Sequence, residues 1–268
     1  MDIFLYGFFQ YALFGGMLIG LAAPMIGMFL VLRRMSMIGD TISHVSIAGV
    51  ALGFLIGTQY PIMVGLLFAV IASFAIEWLR RSYKTYAELS IAIMLSGGIA
   101  LTSFLFTLGR SFDKNVTSYL FGSIYTLDRL DLTLIVVITA VVVAAVLINY
   151  KELFLMTFDE DAAAVNGLPS RFYNVMITVL TALVISVAIK VVGALLVSAL
   201  LTIPVACSLL VARSFKRAMW LSVLFSEIAV AVGLSVAGVA SWAPGGTVVL
   251  LLIAMLIIVM VTKRRVRM

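Results

Sequence analysis

Met37-Ile38-Gly39-Asp40-Thr41-Ile42-Ser43-His44-Val45-Ser46-Ile47-Ala48-Gly49-Val50-Ala51-Leu52-Gly53-Phe54-Leu55-Ile56-Gly57 is an apolar run in which only Asp40 and His44 can carry charge. A bilayer-crossing helix needs ~20 predominantly apolar residues, and this run has the length. A charge deep in hydrocarbon costs ~2.5–3.5 kcal/mol or more on insertion scales, so an ionisable side chain inside a span is a functional candidate by default. Residues four apart on a helix share a face, with Cβ atoms about 5–6 Å apart. Counted at ~1.5 Å per residue from Arg34, His44 lies about 15 Å up, near the middle of a ~30 Å core. Asp40 lies one turn nearer Arg34, and His44 is the sole histidine of the chain. A carboxylate and an imidazole so placed can share one divalent cation, since Zn–N and Zn–O bonds need only ~2.0–2.2 Å. The bland alternative is that the two side chains hydrogen-bond each other and staple neighbouring helices.

The same kind of run fills the 268 residues. Apolar stretches cover about 4–32, 37–57, 61–79, 87–108, 131–150, 172–190, 193–212, 218–240 and 245–262. The sixth and seventh are separated only by Val191-Val192-Gly193. They read as two spans, or as one long span and a broken helix, so the count is eight or nine. The first run exceeds one crossing and contains Pro24, a kink candidate. Hydrophobic residues make up 64% of the chain and charged residues 11%, against about 45–50% and about 25% in soluble domains. A soluble or disordered protein is excluded, and continuous rather than alternating apolarity excludes an outer-membrane barrel. The expectation is an all-α, polytopic integral membrane protein with one transmembrane domain, residues 1–268. Little remains for an ATPase or a nucleic-acid module.

The net charge of +6 sets orientation and does not mark a nucleic-acid partner. With the C-terminus in the cytoplasm, fourteen Lys and Arg fall inside, among them Arg33, Arg34, Arg80, Arg81, Arg213, Lys216, Arg217 and Lys263. Four fall outside: Arg110, Lys114, Arg129 and Lys190. Basic residues accumulate in cytoplasmic loops, so this orientation is expected. The lone Cys207 allows no disulfide within the chain.

Among other acidic residues near spans, Glu77 precedes Arg80 and Arg81 at helical spacing and reads as a surface ion pair. Glu88 begins its span and can reach water. Glu227 is less easily dismissed, because it stands ten residues past Arg217 as His44 stands ten past Arg34. Both helices leave the same side, so both side chains reach a similar depth. Glu227 could complete a metal site, pair with Lys190, or bond to helix hydroxyls. Two acids and one imidazole suit Zn²⁺, Mn²⁺ or Fe²⁺ rather than Cu⁺. The fourteen methionines are scattered and read as packing or lipid-facing residues. Neither HExxH nor a Ser-His nucleophile in a strained glycine turn is present, which disfavours an intramembrane enzyme.

The inside loop, about 151–171, contains Phe158-Asp159-Glu160-Asp161-Ala162-Ala163-Ala164-Val165-Asn166-Gly167-Leu168-Pro169. Asp159 can cap a short helix whose positive end is crowded with Glu160 and Asp161. Ala162, Ala163 and Ala164 form its body, Gly167 supplies a left-handed stop, and Pro169 prevents continuation. Such a helix is either a connector or a lever for a partner.

At these residues the chain resembles the ABC-3 family of permeases, membrane subunits of bacterial zinc and manganese uptake ABC transporters. The likeness rests on Leu32-Arg33-Arg34-Met35-Ser36-Met37-Ile38-Gly39-Asp40-Thr41-Ile42-Ser43-His44, on Gly49-Val50-Ala51-Leu52-Gly53 and on Leu120-Phe121-Gly122-Ser123. It continues in the Asp159–Gly167 loop and ends with Lys190-Val191-Val192-Gly193-Ala194-Leu195-Leu196-Val197-Ser198-Ala199-Leu200-Leu201-Thr202-Ile203-Pro204. Past residue 210 only hydropathy matches, so Glu227 inherits no family role. The resemblance implies a type II ABC importer-like permease in the bacterial cytoplasmic membrane, working as a homodimer. Two cytoplasmic ATPase subunits would grip the loop helices, Asp159 to Gly167, and an extracytoplasmic metal-binding protein would deliver the ion. Asp40 and His44 match the family's pathway positions. The cargo is then Zn²⁺ or Mn²⁺, zinc favoured by overall likeness, with no permanent cofactor and ATP on the partner. No GxxxxGK[ST] phosphate loop occurs in the chain, so hydrolysis would belong to that partner. The alternatives are a siderophore or cobalamin permease and a transporter acting alone.

Overall fold

The structure, a computed structural model, describes residues 6–83, 86–108, 118–123, 125 and 127–267. Its regular elements among these residues are all helices. The long helices are α1 (Gly7–Leu32), α2 (Ile38–Ile56), α3 (Pro61–Ser82), α4 (Ala87–Leu108) and α5 (Arg129–Ile148). Two short helices follow, α6 (Tyr150–Phe158) and α7 (Glu160–Val165), and then α8 (Ser170–Val192), α9 (Val197–Val211), α10 (Phe215–Ala240) and α11 (Pro244–Arg267). Eight of these are long and apolar enough to cross a membrane. Arg110, Asp113 and Lys114 of the 109–129 loop, and Lys84, lie outside the described residues.

The expected span at 193–212 is the one that changes. Only Val197–Val211 is helical, fifteen residues and too short to cross a full bilayer unaided. Gly193 ends α8 in a positive-φ conformation, and the chain turns before α9 starts. Eight helices are thus of spanning length, within the expected eight or nine, and the shorter α9 carries the chain from the end of the bundle at Gly193 to the end at Phe215. Pro24 is buried within α1, which continues past it as one helix to Leu32.

Helix α1 is the spine. It packs on α5, α8, α9 and α10. Between helices in lipid the drive is close packing rather than exclusion of water, so small residues matter at contacts. Gly27 illustrates this: a Cβ there would sit inside Leu201 O of α9, so the two backbones touch. Helices α2, α3 and α4 pack together as one group, and α9, α10 and α11 as another. Helix α8 contacts both groups.

The arginine-bearing end of the bundle, near Leu32, Ser82 and Phe215, is fastened by rings. Phe215 lies 5.1 Å from Phe154, 5.6 Å from Phe29, 5.7 Å from Tyr150 and 5.9 Å from Phe158. This cluster clamps α6 against α1 and α10. At the opposite end, residues 118–123 lie along 190–195.

Candidate metal-transit site

Helix α2 is stitched into its neighbours by its small polar residues. Thr41 Oγ1 donates to Met37 O at 3.0 Å and to Ile91 O of α4 at 3.3 Å. Ser46 Oγ donates to Gly65 O of α3 at 3.1 Å, and Thr102 Oγ1 of α4 donates to His44 O at 2.9 Å. Ser43 Oγ turns back to Asp40 O at 2.8 Å. All five hydroxyl bonds end on backbone carbonyls, which is the inexpensive way to bury a hydroxyl in lipid.

From Ile38 to Ala51 every residue of α2 is buried except two, Asp40 and His44. Their side chains make no hydrogen bond or ion pair among the described residues, with each other or with anything else. The staple alternative is thus absent. Instead a carboxylate and an imidazole stand on one open strip of a helix otherwise jacketed by α3, α4, α8 and α9. The first turn of α9 borders this strip. A Cβ on Gly39 would lie 3.1 Å from Leu201 Cδ1 and 3.3 Å from Ser198 Cβ, both in the 190–204 block. Asp40 occupies the first turn of α2, where the helix dipole favours a negative charge.

Glu227 stands elsewhere. It lies on α10, whose packing partners are α1, α9 and α11. Its Oε1 would be 3.4 Å from a Cβ on Gly20 of α1. Among the described residues no three His, Cys, Asp or Glu side chains gather closely enough to hold one ion. Counting residues fixes the height of Glu227 but not its direction, and α2 is not among the helices that α10 packs on. The pairing with Lys190 is also corrected, because Lys190 Nζ bonds Asp131 Oδ2 on α5. Nor does a helix hydroxyl satisfy it. Glu227 Oε2 and the adjacent Ser226 Oγ are both buried and without a partner among the described residues.

The loop helix forms as its sequence predicts. Asp159 Oδ1 accepts from Ala162 N at 2.8 Å, and Gly167 takes φ +79° just past the end. Ala163 is fully buried, whereas Val165 is 89% exposed, so α7 offers an outer face. The sequence reading missed α6, whose inward residues Leu153 and Met156 are buried. Their i, i+3 spacing was the available signal. Glu77 makes its two expected contacts, to Arg80 Nη1 at 3.0 Å and to Arg81 Nε at 3.3 Å.

Known proteins place this architecture. The profile described as the ABC 3 transport family matches residues 5–263. A probable metal transport system membrane protein of Treponema pallidum is 32% identical over 254 residues, 95% of each chain. The manganese import system permease protein ScaB of Streptococcus gordonii is 32% identical over 91% of this chain and 87% of its own. Among solved structures, PsaBC from Streptococcus pneumoniae in complex with Fab superposes with a TM-score of 0.85 at 30% identity. The match covers 96% of this chain and 92% of that one.

Proposed function

Because this chain belongs to the ABC 3 transport family, we propose that it is the permease subunit of an importer for a divalent transition-metal ion, powered by ATP hydrolysis on a separate subunit. The carrying observation is the pattern of burial on α2, where only Asp40 and His44 are left open between Ile38 and Ala51. A strip that joins an acid to an imidazole inside a span is costly against lipid tails. It is stable against a water-filled path or against a second copy of the chain. We therefore read the working unit as a homodimer, with the two Asp40–His44 strips flanking one conduit.

In this reading the ion exchanges part of its hydration for carboxylate and imidazole ligands as it passes. Two ligands per chain bind it loosely, and a conduit must release what it captures. Glu227 is a separate acidic station, reached if the conduit extends to α10. The C-terminus lies in the cytoplasm, as the basic loops argue, so α7 faces the ATPase subunits and residues 118–123 face an extracytoplasmic metal-binding protein. The chain itself catalyses no covalent step. Oxygen and imidazole donors accommodate both manganese and zinc. The names of the relatives make manganese the first ion to test, ahead of the zinc that overall likeness suggested. A siderophore or cobalamin would need a wider, uncharged path.

The test is uptake of Mn²⁺ and Zn²⁺ by cells expressing the complete transporter. Asp40→Ala and His44→Ala are each expected to lower uptake to the level of cells lacking it, with the complex still assembled. Uptake at the unmutated rate in both variants would remove the assignment.

A further inference from the structure

Arg33 ends α1, and its side chain is only 6% exposed. Its Nη2 donates to Asn174 Oδ1 on α8 at 2.6 Å, a contact between residues 141 apart in sequence. Asn174 passes the interaction on, its Nδ2 donating to Glu160 Oε1 on α7 at 3.0 Å. Glu160 Oε2 also lies 3.6 Å from Arg33 Nη2, so the three side chains close a triangle. The orientation of the amide follows from its neighbours, because only its oxygen can face a guanidinium and only its nitrogen a carboxylate. The charges acting on Arg33 from the packed elements are Glu160, Arg80 and Glu77.

The triangle is unequal. Glu160 is 49% exposed and can pass from Arg33 to water at small cost. Arg33 has no such exit, and its Nη1 is already buried without a partner. What Arg33 is tied to on its other side is rigid. Arg34 adopts φ +58°, Met35 N donates to Leu30 O at 2.8 Å, and Ile38 N donates to Met35 O at 3.0 Å. Five residues, Arg33 to Met37, carry the chain from α1 into α2, and Asp40 lies in the first turn beyond.

We infer that Arg33, Asn174 and Glu160 form a relay coupling the position of α7 to the root of α2, with Arg33 as the positioning residue through which movement of α7 reaches Asp40 and His44. This inference rests on the functional reading above, since it supplies the link between a docked ATPase and the transit strip. When α7 moves outward, Glu160 leaves first, the Asn174 amide loses one arm, and the Arg33 turn is free to reorient the first turn of α2. When α7 returns, the triangle closes and the strip is reset.

The experiment reconstitutes the permease with its ATPase and metal-binding protein in liposomes and measures ATP hydrolysed per Mn²⁺ imported. Asn174→Asp keeps the arm to Arg33 but sets a second carboxylate against Glu160, and Arg33→Lys keeps the charge but loses the fork. Both variants are expected to assemble and hydrolyse ATP while the ATP spent per ion rises about tenfold, within the usual range of coupling between sites. Glu88→Gln removes a carboxylate from the first turn of α4, away from the triangle, and should leave the ratio unchanged. An unchanged ratio in both relay variants overturns the inference, and so does loss of the assembled complex in both, which would make the triangle an assembly contact. If the unmutated complex imports no more Mn²⁺ than its Asp40→Ala variant, the functional reading itself has failed.

Discussion

At the end of the bundle where α8 stops, residues 118–123 are fastened to 190–195 by backbone alone. Ser123 N donates to Lys190 O at 3.1 Å, Ala194 N to Tyr119 O at 2.9 Å, and Leu195 N to Leu120 O at 3.3 Å. Gly122 and Gly193, at φ +80° and +90°, face each other across the contact, and a Cβ on either would enter the other strand of backbone. At the arginine-bearing end the fastening is made of side chains, Arg33, Asn174 and Glu160, and one of them is half in water. The first closure is made of several backbone bonds set by two facing glycines, so it loses its fit as a unit when either backbone shifts. The second can open one bond at a time. A transporter in which one gate yields to a partner and the other holds would divide its ends in this manner.

The largest expected effect separates the two ends by a single kind of substitution. Gly193→Val places a branched side chain against Gly122 N and Phe121 C at a φ that L residues rarely adopt. The cost should reach about 4 kcal/mol or more, the range reserved for steric failures in a core, and little folded protein is expected by detergent gel filtration. Gly167→Ala, beside α7, has nearly the same φ, +79°, but nothing within 4 Å of the new Cβ. It should lose only about 1–2 kcal/mol, the usual penalty of the left-handed conformation. Equal losses would mean that the glycine clasp is no tighter than an open turn.

Next in size is the ion pair beneath the clasp. Lys190 bonds Asp131 with both side chains largely buried, at 15% and 6% exposure. Lys190→Ala strands the carboxylate and should cost about 3–5 kcal/mol, seen as a lower melting temperature in detergent. The double variant Asp131→Asn, Lys190→Met should recover most of that loss. At the other end, Glu160→Ala should cost about 1 kcal/mol or less, as for a pair whose acid is half exposed.

These contrasts also mark how far the residues alone could lead. The eight long spans were legible because apolar runs of bilayer length carry few competing signals. For the run at 193–212 hydropathy left eight or nine spans open, and the positive-φ turn at Gly193 followed by a helix of only Val197–Val211 is what the structure adds. Asp40 and His44 stand out in the sequence by scarcity, as the sole ionisable groups in their run, and the structure adds that they are its two partly exposed positions between Ile38 and Ala51. The separation of Glu227 from them was not, since counting residues from a loop fixes depth and leaves azimuth open. Asp131 with Lys190, and Arg33 with Asn174, are 59 and 141 residues apart and sit at span ends, where headgroups offer equally good partners. Only packing decides between those partners.

The smallest effect tests whether the clasp end depends on protonation at all. Asp128 caps α5, its Oδ1 accepting from Asp131 N at 2.8 Å, while Asp131 Oδ2 accepts in return from Asp128 N at 3.0 Å. The bond from the Asp131 backbone N–H, ahead of other influences, holds the Asp128 carboxyl below its ordinary value of 3.8. A carboxyl depressed on folding stabilises the fold above its unfolded pKa and stops doing so as pH falls through the folded value. The cap is therefore complete at neutral pH and fails only in acid, below about pH 4. Asp128→Ala should cost about 1 kcal/mol at pH 7, whereas Asp128→Asn, an equally good cap, should cost almost nothing. On acidification the unmutated protein should lose the cap contribution and Asp128→Asn should retain it, so their melting curves part only in that range. Curves that separate already at pH 6 would show that the carboxylate charge, acting on Lys190, matters more than the cap.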